Sequence, residues 1–214
     1  MQRYRLAGIF FKDVFQGENF MKKATDLRIL DSAEQLFWHY GHRASSLDKI
    51  ANDAGQSKGA VFHYFRNKKD ITSQVLRKYA QENIFGPLET HFFQTPNTKE
   101  ALLGWGMEIY KNYAEADYKG GCLLGNMALE LSDSDENARC EMAKIFLDWE
   151  NKLTGYFKDP ARSGEIMMEP RQFARLLIAA LQGVTMTSKV HKDRNRGARE
   201  FQAFAELIER MIRG

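Results

Sequence analysis

The stretch from residue 25 to residue 70 constrains the fold more than any other part of this 214-residue chain. It holds one segment with an apolar stripe at helical spacing, then two short amphipathic segments separated by Gly55. Glycine tolerates the positive φ of a tight turn, so Gly55 predicts a sharp change of direction between two short helices. The second short segment, SKGAVFHYF, is followed directly by the basic run RNKK. This layout is typical of a helix-turn-helix, whose second helix enters the major groove of DNA.

Local signals predict where these helices begin and end. Ser45 and Asp48 fit the spacing of a capping box and predict that the second helix starts near Leu47. Gly41 fits the end of the first helix, and Ser57 fits the N-cap of the third. The predicted inward residues of the first helix are Leu27, Leu30, Ala33, Phe37 and Tyr40, and those of the third are Val61, Phe62 and Phe65.

The same residues resemble the TetR family of bacterial transcriptional repressors. The resemblance rests on the pairs Leu36–Phe37, Ile50–Ala51 and Ala54–Gly55, the run Ser57–Gly59, the aromatic run 62–65 and the run Asn67–Lys69. The chain departs from the family pattern at Phe62, where Tyr is usual, and at Gln56, where Val is usual. The resemblance implies an all-α protein with an N-terminal three-helix helix-turn-helix domain and a C-terminal helical domain that binds a ligand and dimerises.

Three parts of the chain are predicted on this basis. Residues 1–21 form an extension, residues 22–70 the DNA-binding domain, and residues 71–214 the helical body. The extension has no long apolar core with a small-residue cleavage site, so it is not interpreted as a signal peptide. It is either a tail before a start at Met21, or an arm whose Arg3 and Arg5 contact DNA.

Charge is unevenly distributed along the chain. Residues 1–80 hold 14 Lys or Arg and 8 Asp or Glu, whereas the remainder holds 17 and 20. A basic N-terminal part on a slightly acidic body favours DNA contact at one end, although a solvated charged face gives the same pattern.

Nine residues are predicted to contact DNA. They are Ser45, Gln56, Ser57, Lys58, Gly59, Ala60, His63, Tyr64 and Lys68. Lys58 and Gln56 are the candidates for base edges, and Ser45 and Lys68 for phosphates. The alternatives are packing of Tyr64 against the first helix and an ordinary surface role for the lysines.

Beyond Asp70 the pattern remains helical to the end of the chain. A break or bend is expected near Gly86–Pro87, a helix start at Asn97, and another with Pro170 in its first position. Two C-terminal apolar stripes predict a four-helix interface between two subunits, which a palindromic DNA operator also requires. The predicted interface residues are Leu177, Leu181, Val184, Phe201, Phe204 and Ile208. The alternative is that both stripes close the core of one subunit.

The middle of the body is rich in aromatic residues and methionine. In TetR-like proteins this region holds an inducer pocket, so the candidates for a small-molecule site are Trp105, Tyr110, Tyr113, Cys122, Met127, Phe146 and Trp149. The alternative is plain core packing. The segment GGCLLGN resembles a TetR subset with Gly-Cys at the start of a central helix, and some such proteins respond to electrophiles or oxidants. A thiolate near a helix N-terminus is stabilised, so Cys122 is either a sensor or an inert buried thiol.

Several classes of protein are disfavoured by the sequence. No nucleophile–base pair or Gly-rich phosphate loop supports an enzyme, and neither a cofactor nor a metal site is expected. No apolar run is long enough to span a membrane, and two cysteines, Cys122 and Cys140, suit a reducing cytoplasm. The predicted function is a DNA-binding repressor released by a small-molecule inducer or by thiol modification. The alternatives are an activator or protein-partner regulator of the same fold, and a ligand-turnover enzyme.

Overall fold

The computed structural model describes residues 17–213, with side chains from residue 25 onward. Most of the predicted N-terminal extension, with Arg3 and Arg5, lies outside the described residues. The helices are α1 (Gly17–Tyr40), α2 (Leu47–Asp53), α3 (Lys58–Tyr64), α4 (Lys68–Ala80), α5 (Gly86–Gln94), α6 (Thr98–Glu115), α7 (Leu123–Leu131), α8 (Glu136–Lys158), α9 (Pro170–His191) and α10 (Arg194–Met211). We call α1 to α3 the head and α4 to α10 the body. The all-α fold is confirmed, with one small addition: a two-residue strand β1 (Glu165–Ile166) pairs antiparallel with β2 (Ile212–Arg213).

The head is held together by one side of α1, which packs on α2 and α4. Its buried residues are Ile29, Leu30, Ala33 and Phe37. The prediction was wrong for Leu27 and Tyr40, which are 43% and 69% exposed. Leu27 lies about 100° round the helix from the middle of the buried side, and Tyr40 is the last helical residue.

The predicted turns of the head are confirmed, with one shift in a cap. Gly41 and Gly55 both have positive φ, +82° and +65°. Helix α2 starts at Leu47 as predicted, but its N-cap is Ser46, whose hydroxyl oxygen accepts from the Lys49 amide at 3.2 Å. Ser57 caps α3 and accepts from the Ala60 amide at 3.1 Å.

Helix α4 carries the chain from the head into the body. It is continued by a π-helical turn at Gln81–Phe85, after which α5 starts at Gly86 with a proline in its first turn. The chain therefore does not break at Gly86–Pro87: the backbone stays helical there, and the regular α-helix is interrupted by the π-helical turn just before Gly86. The predicted helix starts at Asn97 and Pro170 are confirmed, because Asn97 caps α6 and Pro170 opens α9.

The body packs its long helices against one another, α8 on α9 and α10 on both α6 and α9. This packing buries the apolar stripes of α9 and α10 inside the subunit. Five of the six residues predicted at a subunit interface are buried inside the subunit: Leu177, Leu181, Phe201, Phe204 and Ile208. Only Val184 is half-buried. The residue prediction was wrong because an amphipathic stripe does not tell whether its partner is the same chain or another.

No helix in the described part of the chain is both long and apolar enough to cross a membrane.

Candidate nucleic-acid interface and internal cavity

The outer side of α3 is uncovered. Lys58, Gly59 and His63 are exposed, as is the capping Ser57. The neighbouring predicted contacts Gln56, Ala60 and Tyr64 are half-buried, and Tyr64 packs against the core. Phe62, predicted to face the core, is 49% exposed. No other part of the described head or body covers these exposed residues, so they are accessible to a partner.

Within the described part of the head, Lys58 pairs with Asp48. Its Nζ lies 3.0 Å from the carboxylate of Asp48 on α2, and both side chains are more than half exposed. An ion pair this exposed adds little stability, so Lys58 can exchange Asp48 for an acceptor on DNA at small cost.

Two predicted phosphate contacts are engaged inside the protein. Ser45 is fully buried and its hydroxyl donates to the Gly41 carbonyl at 2.7 Å, so this side chain is withdrawn from DNA and the prediction was wrong. Lys68 does begin α4 as predicted, but its Nζ donates to the His42 carbonyl and lies 5.7 Å from the centre of the Phe37 ring. Burial lowers the pKa of Lys68 from its ordinary value. Its contact with phosphate stays a prediction.

A cavity of about 360 Å³ lies where α1 of the head meets the helices of the body. Its aromatic lining comes from α1, α4, α6 and α8, namely Trp38, Tyr79, Trp105, Tyr113 and Trp149, and its other lining includes Asn83, Ile84, Ile109, Asn112, Cys122, Leu181, Gln182 and Thr185. This volume lies in the range of ordinary small-molecule sites.

The cavity brings together only part of the predicted ligand set. Trp105, Tyr113, Cys122 and Trp149 line it. The other three lie elsewhere: Tyr110 lines a groove between α6 and α10, Met127 is buried in the core, and Phe146 lines a groove on the outer side of α7 and α9. The contributions of Trp38 and Tyr79 were missed, because nothing local in α1 or α4 signals a distant pocket.

Cys122 lies at the cavity wall and is the N-cap residue of α7. Its Sγ accepts from the Tyr79 hydroxyl at 3.9 Å and from the Gln182 amide at 3.5 Å. The same hydroxyl accepts from the Leu123 amide at 3.3 Å. Cys122 therefore joins α4, α7 and α9 at one point.

Burial dominates the ionisation of the two cavity tyrosines. It raises the pKa of Tyr79 and of Tyr113 well above the ordinary value, and the nearby Cys122 thiol adds to both shifts. Both hydroxyls therefore stay protonated at neutral pH and can act as hydrogen-bond donors.

Helix α7 starts at the cavity wall, and hydrogen bonds join the chain to the head near both ends of this helix. At its start, the Trp38 indole N–H donates to the Gly121 carbonyl at 2.7 Å. Near its end, the Glu130 carboxylate accepts from the backbone amides of His42 and Arg43, at 2.8 and 2.7 Å. Helix α7 and the residue pair before it are thus hydrogen-bonded to α1 and to the loop that follows α1.

The loop before α7 has an unusual backbone. Asp117 and Tyr118 have φ of +50° and +56°, and Gly120 and Gly121 have +82° and +70°. Residues other than glycine rarely adopt a positive φ. Such strained conformations persist only where the surrounding packing enforces them, and they are more frequent at functional sites.

Comparison with protein families agrees with this two-part architecture. The family described as bacterial regulatory proteins, tetR family, matches residues 29–75, and the family described as tetracyclin repressor-like, C-terminal domain, matches residues 103–204. The chain belongs to the TetR family. It is therefore a DNA-binding transcriptional regulator whose head and body correspond to these two matches.

This TetR-family regulator is similar to several curated proteins over most of its length. An uncharacterized HTH-type transcriptional regulator of Lactococcus lactis is 29% identical over 175 residues, covering 80% of this chain and 86% of that protein. The HTH-type transcriptional repressor DhaR of a Mycobacterium species is 26% identical, covering 78% and 83%.

Solved structures of the family share the fold. The reduced form of Escherichia coli NemR superposes with a TM-score of 0.79 at 22% identity, covering 89% of this chain and 97% of that one. A regulatory protein TetR from Rhodobacter sphaeroides superposes with a TM-score of 0.76 at 18% identity, covering 85% and 97%.

Proposed function

We propose that this TetR-family regulator is a repressor that binds a palindromic operator as a homodimer and leaves it when the body takes up a small molecule or when Cys122 is modified. The observation that carries the DNA-binding part is the exposed side of α3, where Lys58, Gly59 and His63 stand clear of the rest of the subunit. The names of relatives such as DhaR, ComR and NemR, each called a repressor, favour repression.

The operator is tested by capturing genomic fragments with purified protein at near-physiological salt and sequencing them. The expected result is a recurring palindrome with half-sites about one helical turn, or a multiple, apart. Lys58→Ala weakens capture, whereas Lys111→Ala, at an exposed position on α6 of the body, leaves it unchanged. Fragments that share no sequence contradict the proposal.

Repression and activation are distinguished by a reporter gene placed behind a captured operator and its own promoter. Expression that falls when the protein is supplied supports repression. Expression that rises supports the activator hypothesis instead, and expression that changes only with an added protein supports the protein-partner hypothesis.

The outer side of α9 supports dimerisation. With the predicted interface residues buried inside the subunit, the residues left at helical spacing on the free side are small or apolar: Leu176, Ala179, Ala180, Gly183, Met186 and Val190. Met186 and Val190 are 52% and 71% exposed. Small residues let a partner helix approach closely, and the exposed apolar groups lose water on contact.

The dimer is tested by measuring mass in solution. Met186→Glu combined with Val190→Glu is expected to give a monomer, because two charges would be buried at the contact. The matched control is Phe93→Glu, which changes an exposed apolar residue of α5 and leaves the dimer intact. A double variant that stays dimeric contradicts the placement of the interface on α9.

Release through Cys122 is supported by the position of its sulfur. When the thiol adds to an electrophilic carbon, a C–S bond forms and the thiol proton passes to the adduct. The adduct displaces the donors from Tyr79 and Gln182, so α4, α7 and α9 must move apart. Because α7 also contacts the head through Gly121 and Glu130, the movement reaches the DNA-binding surface.

The test treats the operator complex with a reactive aldehyde or quinone. Cys122→Ser is expected to remain bound to DNA, while Cys140→Ser, at a half-exposed thiol on α8, is released like the unmodified sequence. Equal release of both variants contradicts a role for Cys122 and leaves non-covalent ligand release in place.

A further inference from the structure

A groove of about 240 Å³ lies on the outer side of α7 and α9. Its lining residues are Cys122, Gly125, Asn126, Ala128, Leu129, Phe146, Gln182, Thr185 and Met186. None of them is charged, and Leu129 is 81% exposed. The core of a protein interface is likewise poor in charged residues and rich in apolar ones. An uncharged groove with a large apolar side chain standing beside it therefore indicates an interaction surface.

The groove is continuous with the side of α9 that we propose as the subunit contact. Met186 belongs to both. Helices α7 and α9 lie close together there, since a Cβ on Gly125 would overlap the side-chain oxygen of Gln182. On α8, the 51% exposed Leu147 directly follows Phe146, which lines the groove. The exposed apolar surface of α9 therefore extends across α7 and α8.

The contact on α9 is too small to hold a stable dimer by itself. It consists of six residues along one helix, whereas a stable interface takes about 20–30 residues and about 800 Å² from each partner. The neighbouring α10 offers little further apolar surface, because its exposed residues are mostly polar: Asn195, Arg196, Arg199, Gln202, Glu206, Glu209 and Arg210. A second apolar groove, between α6 and α10, has no α9 residue in its lining. The apolar surface that adjoins the α9 contact is thus that of α7 and α8.

We propose that the groove between α7 and α9 receives a second copy of this chain, so that the subunit interface covers α7, α8 and α9. The inference rests on the proposed function, in which the protein is a homodimer. A twofold interface is isologous, which means that both subunits use the same patch. Each groove is therefore covered by the same face of the partner, on which Leu129, Met186 and Val190 are exposed apolar groups.

Docking in this groove places the partner directly behind the wall of the cavity. Cys122, Gln182 and Thr185 line both the groove and the cavity. The side chains of Cys122 and Gln182 are also joined to each other, with Sγ and the amide nitrogen 3.5 Å apart. A single layer of side chains thus separates the proposed inducer from the partner subunit, and a molecule that displaces this layer from inside acts on the subunit contact.

The exposure of position 129 in solution tests the proposal. Leu129→Cys is combined with Cys122→Ser and Cys140→Ser, which leaves one thiol in the chain. Its rate of reaction with a maleimide is measured from dilute to concentrated protein, while sedimentation gives the fraction of dimer. The rate is expected to fall as dimers form, because the partner covers the thiol. The matched control is Phe93→Cys in the same background, at a 92% exposed residue of α5, where the rate stays constant.

Leu129→Glu measures how much the groove contributes to the dimer. This side chain is 81% exposed in the subunit, so the substitution leaves the fold intact, which circular dichroism checks. The dissociation constant of the dimer is expected to rise about tenfold or more, since each dimer loses two buried leucines and gains two buried charges. Phe93→Glu is the control and leaves the constant unchanged. An unchanged constant in Leu129→Glu overturns the proposal.

The remaining outcomes separate this inference from the proposed function. If dimers form but the Leu129→Cys thiol reacts equally in monomer and dimer, the groove is open, the inference is overturned and the α9 contact remains. If that thiol is protected while Met186→Glu with Val190→Glu still dimerises, the groove contact stands and the placement on α9 fails. A chain that is monomeric at every concentration overturns both the inference and the proposed homodimer.

Discussion

Two sharp bends of the chain, one in the head and one in the body, use the same backbone conformation in opposite surroundings. The turn between α2 and α3 centres on Gly55, where a side chain would meet open space. The loop between α6 and α7 contains Gly120, where a Cβ would overlap the Trp38 ring. The first bend depends on backbone freedom alone, while the second depends on packing against another helix. Turns of the first kind are local, and turns of the second kind connect distant parts of the molecule.

The largest predicted effect is the loss of stability when each of these two glycines is replaced by alanine. Gly55→Ala is expected to reduce the free energy of unfolding by about 1–2 kcal/mol, the cost of the left-handed conformation. Gly120→Ala adds overpacking against Trp38 to the same strain, so we expect a loss of about 2–5 kcal/mol. Urea unfolding of both variants measures the difference. Equal losses would mean that the loop before α7 accommodates the new Cβ at no extra cost. The two turns would then not differ in their dependence on packing.

The second prediction concerns the exposed side of α3 and the engaged lysine at the start of α4. Lys58→Ala is expected to lose about 1–3 kcal/mol of affinity for the operator and to relax its sequence preference. Lys68→Ala is expected to weaken binding to all sequences alike and to reduce the salt slope by about one unit, provided that Lys68 leaves the His42 carbonyl on binding. Binding isotherms at several salt concentrations test both. An unchanged salt slope in Lys68→Ala would mean that this lysine only supports the loop after α1.

The third prediction is a pH dependence that originates where the head joins the body. Burial, and then the positive charge of Lys68, lowers the pKa of His42 to about 4. The unfolded chain binds this proton near the ordinary pKa of 6.5, whereas the native protein does not. Stability is therefore full above pH 6.5 and declines as the pH falls from there toward 4. We expect the decline to be shallower in His42→Gln, and unchanged in the control His63→Gln at an exposed site of α3. The same slope in all three proteins would contradict the assignment.

The smallest predicted effect concerns the contact of α7 with the loop after α1. Glu130→Gln keeps one carbonyl oxygen and loses one of two acceptors for the amides of His42 and Arg43. We expect a loss of about 1 kcal/mol in stability and faster hydrogen exchange at one of these amides. The control is Glu136→Gln, which removes an exposed pair with Arg139. An effect no larger than that of the control would show that the head does not depend on this contact.

The contrast between the two bends also explains what the sequence could predict. Gly41, Gly55, Ser57 and Pro170 act on their own neighbours, and the helix limits that they indicate are those of the structure. Even here the cap of α2 moved by one residue, from Ser45 to Ser46, although the residue three positions after Ser46 is Lys49 and does not complete a capping box. Ser45 is instead buried, and its hydroxyl donates to the Gly41 carbonyl in the same loop.

Assignments that depend on a distant partner were less successful. Leu181 and Phe201 belong to stripes that fit a subunit interface and a subunit core equally well, and the fold uses them for the core. The cavity gathers Trp38, Tyr79 and Gln182 from helices far apart in the chain, so no single segment carries its signature. Cys122 was singled out because GGCLLGN resembles a TetR subset with Gly-Cys at the start of a central helix, and in the structure it is the N-cap residue of α7.

Helix α7 attaches to the head at two points, through Gly121 at its start and Glu130 near its end. Its nine residues span about 13 Å, so the two attachments are well separated. A single attachment would keep the head from sliding along α7 but would allow it to rotate. Two separate attachments prevent that rotation as well. If the proposed inducer breaks only the attachment beside the cavity, the other attachment becomes a pivot. We propose that the head of each subunit then changes its angle to the body while its three helices stay intact, and that this change of angle is what separates the two heads of the proposed dimer from DNA.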